Sequence, residues 1–206
     1  MLDNKGFDIW SKDYDKSVER SSKEYPFHGY YEVINQVYNL IHEKVGKRIL
    51  DVGFGTGLLT NKLYEDGAEI YGMDFSQGMI DIAKEKMTDG TFIQWDFNDG
   101  VPPMLKEMDF DYIISSYAIH HLNDHKKVEF IGELKNLLKP GGKIIFADVA
   151  FETEKDLNNC KEASGDSWDE DELYMVAEKI IEMLKADGIA SSYKQISSCA
   201  GILEVL

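Results

Sequence analysis

Apolar residues recur three or four apart through residues 30–45, at Val33 or Ile34, Val37, Tyr38, Ile41 and Val45, and Gly46 follows. That spacing predicts a leading helix closed by its glycine. The period then changes. Arg48-Ile49-Leu50-Asp51-Val52 is a continuous apolar run that ends in a glycine cluster, the pattern of a buried strand. Residues 56–66 return to helical spacing through Leu59 and Leu63, with Gly67 as a left-handed cap. A strand at 69–73 follows. Ser76 is placed to cap a helix whose inner face is Met79, Ile80, Ala83 and Met87. Residues 91–95 and 112–115 read as strands three and four. Asp124 caps a helix with the stripe Val128, Ile131, Leu134 and Leu138, and Lys139-Pro140-Gly141-Gly142 stops it before a fifth strand at 143–148. Residues 168–185 predict one more helix. It opens on Asp169, Glu170, Asp171 and Glu172, favourable against the helix dipole, buries Leu173, Ile180 or Ile181 and Leu184, and ends at Gly188. Strand-like runs at 193–197 and 202–206 complete the chain.

Strands alternating with helices predict a doubly wound α/β fold: a mostly parallel sheet, joined by right-handed crossovers, with helices on both faces. In such sheets the ligand sits outside the carboxyl ends of the strands, where their order reverses. The site is therefore expected in the loops after Val52, Met73, Trp95 and Ser115. No repeat, low-complexity tract or linker divides the 206 residues, so one domain spanning 1–206 is expected.

Composition narrows the function classes. The net charge of −16 repels phosphate backbones and anionic lipid surfaces. No apolar run approaches the roughly 20 residues of a membrane span, and no secretory signal opens the chain. Direct nucleic-acid or membrane partners and export are therefore not expected; the expected location is cytoplasmic. Cys160 and Cys199 have no neighbours at ligand spacing, so neither a disulfide framework nor a metal site is expected.

The chemistry concentrates in Asp51-Val52-Gly53-Phe54-Gly55-Thr56-Gly57, where three glycines between strand and helix let a ligand approach the backbone. Dinucleotides use G-x-G-x-x-G. Here Leu58 stands where that motif needs Gly or Ala, which favours an adenosyl methyl donor over a nicotinamide cofactor. Asp74 ends the second strand, 17 residues beyond Gly57, and can accept hydrogen bonds from both hydroxyls of a ribose. Asp96 ends the third strand and Phe97 follows, suited to the amine and the face of an adenine.

These motifs, together with Gly72-Met73-Asp74-Phe75-Ser76, Trp95-Asp96-Phe97, Ser115-Ser116-Tyr117-Ala118-Ile119-His120-His121-Leu122 and Leu138-Lys139-Pro140-Gly141-Gly142-Lys143, resemble the class I S-adenosylmethionine-dependent methyltransferases of the methyltransferase-11 or -25 type. The likeness covers about residues 45–150. It implies a seven-stranded sheet with its last strand antiparallel. It implies S-adenosyl-L-methionine as donor, S-adenosyl-L-homocysteine as product, and donor contacts from Asp51, Gly53, Gly55, Gly57, Asp74, Phe75, Asp96, Phe97 and Ser116. Gly53 and Ser116 would offer backbone carbonyls to the donor's amino group. Residues 1–45 then form a lid and leading helix, 46–150 the donor-binding core, and 151–206 the last helix and strands. In Trp10-Ser11-Lys12-Asp13-Tyr14-Asp15, Tyr14 either closes over the donor or, with Trp10, anchors an amphipathic segment.

His120 and His121 follow the fourth strand at the mouth of the expected pocket, where a neutral imidazole can take a proton from an acceptor. They are the candidate catalytic residues, with a structural role for His121 and substrate contact by His120 as the alternatives. The acceptor is expected to be a small molecule, held by the amino-terminal segment, the loop after Tyr117 and residues 151–168, in a monomer or homodimer. The rival readings are a donor-binding module without turnover and an NAD-dependent oxidoreductase.

Overall fold

Residues 49–52 and 112–115 are mostly apolar on both sides, so they can be buried on both faces and take the middle of a sheet. In the computed structural model, which describes residues 24–41 and 46–206, β1 (Arg48–Val52) is flanked by β2 (Glu69–Asp74) and β4 (Phe110–Ser116). The sheet runs β3 (Thr91–Gln94), β2, β1, β4, β5 (Leu138–Phe151), β8 (Ala200–Val205), β7 (Ser191–Gln195). Strands β1 to β5 pair in parallel, and β8 enters antiparallel to both β5 and β7. This is the expected sheet with an antiparallel last strand. An eighth strand, β6 (Met175–Val176), adds two residues in parallel to the end of β5.

Neighbouring residues of the central strands serve opposite cores. Ile49 and Ile114 pack with Val37 of α1 (Tyr30–Ile41), Leu63 of α2 (Leu58–Glu65) and Ile80 of α3 (Gln77–Lys86). Leu50 and Ile113 pack with Ile131 of α4 (Asp124–Lys135) and Ile180 of α6 (Ala177–Ala186). That alternation follows from the two-residue period of a strand. Burying each of these aliphatic side chains contributes about 1.5–3 kcal/mol.

Three expectations are corrected. Asn123, not Asp124, caps α4, its side chain accepting from Lys126 N–H at 2.9 Å; Leu137 takes the last buried place, and Lys139 to Gly142 lie within β5. Residues 168–174 are not helical, and α6 starts only at Ala177. Their backbone is bound elsewhere: Leu173 N–H donates to His120 O at 2.9 Å, and Leu173 O accepts from Lys127 Nζ at 2.6 Å. Finally, α5 (Glu154–Ser164) was not expected; Thr153 and Asp156 close a reciprocal capping box at its start, and none of its residues is buried. Among the described residues no helix is long and apolar enough to cross a membrane.

Candidate functional site

Beyond β1 the backbone turns through left-handed conformations at Gly53 (φ +66°), Gly55 (φ +57°) and Gly57 (φ +75°), which glycine adopts without strain. The three glycines do different work. A Cβ on Gly53 would lie 2.5 Å from Ala118 Cβ, and one on Gly57 would lie 2.6 Å from Met87 Cε. At Gly55 a Cβ would meet open space. The first and third glycines therefore allow the chain to pack on itself, and the middle one leaves an open cradle. Asp74 fixes this loop: one carboxylate oxygen accepts from Gly55 N–H at 2.9 Å, and the other from Ser76 N–H at 2.9 Å.

The cradle opens on a cleft whose roughly 610 Å³ of empty space includes open solvent. Of the residues singled out in the sequence, Gly53, Gly55, Asp74, Phe75, Phe97, Ser116 and His121 line it. Asp51, Gly57, Asp96 and His120 do not. Tyr14, proposed for the lid, lies outside the described residues.

Asp51 is buried beneath the loop, where one oxygen accepts the Thr60 hydroxyl and the other has no hydrogen-bond partner among the described residues. Burial pushes its carboxyl up to about 7. Asp96 is exposed and caps the turn Phe97–Asp99, accepting from Asn98 N–H at 2.8 Å. That turn directs Phe97 inward against the cleft.

Tyr30, at the start of α1, and Tyr117, after β4, are among the cleft residues that the sequence does not single out, and they pack ring against ring with centroids 4.7 Å apart. Tyr117 is the one non-glycine residue with positive φ (+52°) among the described residues. For a bulky side chain that conformation is strained and concentrates at functional sites. No residue type in the sequence announces it.

The histidine pair separates into inward and cleft-facing rings. His120 turns into the core: Nδ1 is 2.6 Å from Asp148 Oδ1, its backbone N–H donates to Asp148 Oδ2 at 3.2 Å, and Nε2 is 3.6 Å from Glu172 Oε1. Burial pushes its pKa down, but the charges of Asp148 and Glu172 and the Asp148 hydrogen bond outweigh burial and raise it. His121 lines the cleft, and its pKa is pushed down to about 4 by burial, then by the charge of His120. Its ring is therefore neutral near pH 7, and its lowered pKa makes it a weaker base than an ordinary imidazole.

An open glycine cradle, a carboxylate beside it and an aromatic wall suit an adenosine-bearing ligand at the carboxyl end of a parallel sheet. Comparison with known proteins carries this further. Residues 49–142 match a family described as a methyltransferase domain. An uncharacterized methyltransferase of Anoxybacillus flavithermus is 42% identical over 152 residues, covering 70% of this chain and 66% of the relative. Another from a Geobacillus species is 33% identical over 215 residues, covering 97% of this chain and 95% of the relative. Among solved structures, the complex of DhpI with SAM and HEP shares the fold with a TM-score of 0.72 at 18% identity, over 97% of this chain and 94% of that one. The site and fold define a Rossmann-like nucleoside-binding enzyme. The chain belongs to the S-adenosylmethionine-dependent class I methyltransferases, and its cofactor is S-adenosylmethionine.

Proposed function

We propose that the protein methylates a small-molecule acceptor by direct displacement within the cleft between Gly55, Asp74 and His121. The observation that carries this reading is that the donor-side residues and the ring of His121 line one cleft. When bound, S-adenosylmethionine supplies an electrophilic methyl group on a positively charged sulfur. Asp74 holds the ribose hydroxyls, and Phe75 and Phe97 enclose the adenine; the expected contact of Asp96 with the adenine amine would require its exposed carboxylate to turn from its cap into the cleft. The carbonyls of Gly53 and Ser116 face the amino end. Tyr30 and Tyr117 exclude water from the acceptor side. The neutral His121 ring accepts the proton that the acceptor loses. In this reading His120 has no contact with substrate, and residues 1–206 act as one domain.

Calorimetry with S-adenosylhomocysteine tests the donor half. Asp74→Ala is expected to weaken binding roughly 10- to 150-fold, about 1.5–3 kcal/mol, because a charged acceptor is lost from two hydroxyls. An affinity within twofold of wild type, with unchanged circular dichroism, would remove Asp74 from the ribose. A methyl-transfer screen over amines, thiols, phenols and carboxylates, read by mass spectrometry, then tests turnover.

A further inference from the structure

Behind His121 lies a chain of polar groups that donor binding does not require. Asp148 is fully buried near the carboxyl end of β5 and holds the His120 ring at 2.6 Å. On the other side of that ring, Glu172 stands 3.6 Å from Nε2 and accepts the Tyr174 hydroxyl at 2.6 Å. The Tyr174 hydroxyl is hydrogen-bonded in turn to that of Tyr25. Tyr25 lies flat on Trp168, ring centroids 5.1 Å apart and 13° from parallel, and its oxygen accepts from Asp169 N–H at 3.2 Å. The chain thus ties together four segments distant in sequence: the stretch before α1, the loop after β4, the end of β5 and residues 168–174.

A histidine between two carboxylates is an expensive arrangement in a protein interior, where an apolar pair of the same volume is often as stable. What it supplies is fixed geometry. We propose that His120 is a positioning residue: its ring, held between Asp148 and Glu172, clamps the wall formed by Trp168 and Tyr174 and keeps His121 turned into the cleft. This rests on the reading of that cleft as the donor site with His121 on its acceptor side. The charged groups around the ring are Asp148 from β5, Glu172 from the wall and Lys127 from α4, and the neutral, titratable ring of His121 adjoins it from its own segment. Lys127 opposes a charge on the ring, but its ammonium is taken up by the carbonyls of Leu122 at 2.5 Å and Leu173 at 2.6 Å, with Asp124 at 3.7 Å. With a proton on each ring nitrogen, His120 can face both carboxylates. On losing the Nε2 proton it presents a lone pair to Glu172, and the clamp loosens. Because the folded-state pKa is raised, the clamp is complete below the ordinary value of 6.5 and is lost as pH rises through the folded one.

The test is an NMR titration of the five histidines, assigned by single His→Gln changes, with acrylamide quenching of Trp168 followed in the same samples and identified through Trp168→Phe. His120 is expected to titrate above 6.5, and quenching of Trp168 to increase through the same midpoint. Glu172→Gln should lower that midpoint by about one unit, since it removes one facing carboxylate charge. Tyr174→Phe should leave the His120 midpoint in place and uncouple Trp168 from it. Quenching that does not vary with pH, or a midpoint that Glu172→Gln leaves unmoved, overturns the proposal. Affinity for S-adenosylhomocysteine should stay within about twofold in Glu172→Gln. A wild-type protein that does not bind it would sink the donor reading instead, with the titration still deciding the clamp.

Discussion

The two sides of the cleft are built on different principles. On the side proposed for the donor, the ends of β1 and β2 work through the main chain: Gly55 leaves room, and its N–H is held by Asp74 only 19 residues away. Behind His121, on the side proposed for the acceptor, the structure depends on side chains: Tyr25 meets Tyr174 across 149 residues, and His120 is caught between two carboxylates from separate segments. Short-range backbone recognition suits a ligand common to a whole family. Long-range side-chain pairing can be altered one residue at a time without touching the donor loop, so it suits the part of the site that differs between acceptors.

The sharpest way to break this division is Asp148→Ala, which leaves the His120 ring and its backbone N–H without their buried carboxylate. Chemical denaturation should show a loss of about 3–5 kcal/mol. Affinity for S-adenosylhomocysteine, measured on the remaining folded protein, should change less than about threefold. A parallel collapse of both would mean that the two sides are one unit.

A smaller effect separates the glycines. Gly53→Ala forces a Cβ against Ala118 and should lower stability by about 1–3 kcal/mol. Gly55→Ala has space for its methyl group and meets only the backbone strain, about 1 kcal/mol, yet it should weaken S-adenosylhomocysteine binding more than tenfold. If the two variants bind the nucleoside equally, Gly55 is not the cradle. The smallest effect is outside the cleft. Thr153→Ala removes the cap of α5 and should cost about 1 kcal/mol in thermal unfolding, with donor affinity unchanged.

The same division governs what could be read in the sequence. The donor side was legible because each element carries its own signal: the apolar period of β1 and α2, the glycines of the turn, and the Ser76 cap, which accepts from Met79 N–H as expected. On the acceptor side the signals were absent or misleading. No residue of α5 is buried, so it has no apolar stripe to betray it. Residues 169–173 looked like the first turn of a helix, but Leu173 is 44% exposed and its backbone is claimed by Lys127 and His120. Adjacent loop residues cannot be oriented without the fold. The carboxylates that hold His120 inward come from Asp148, on a strand 28 residues away, and from Glu172, while His121 lines the cleft.

The position of β8 bears on how the chain is made. It is the last strand in sequence and sits between β5 and β7, pairing with six residues of one and five of the other. Until the ribosome has released Val205, β5 presents an open hydrogen-bonding edge with Ile144, Ile145 and Phe146 along it, and β7 has no neighbour. An unpaired apolar strand edge invites association between chains. The nascent protein is therefore vulnerable to association along this edge until residues 200–205 have emerged and paired with β5 and β7.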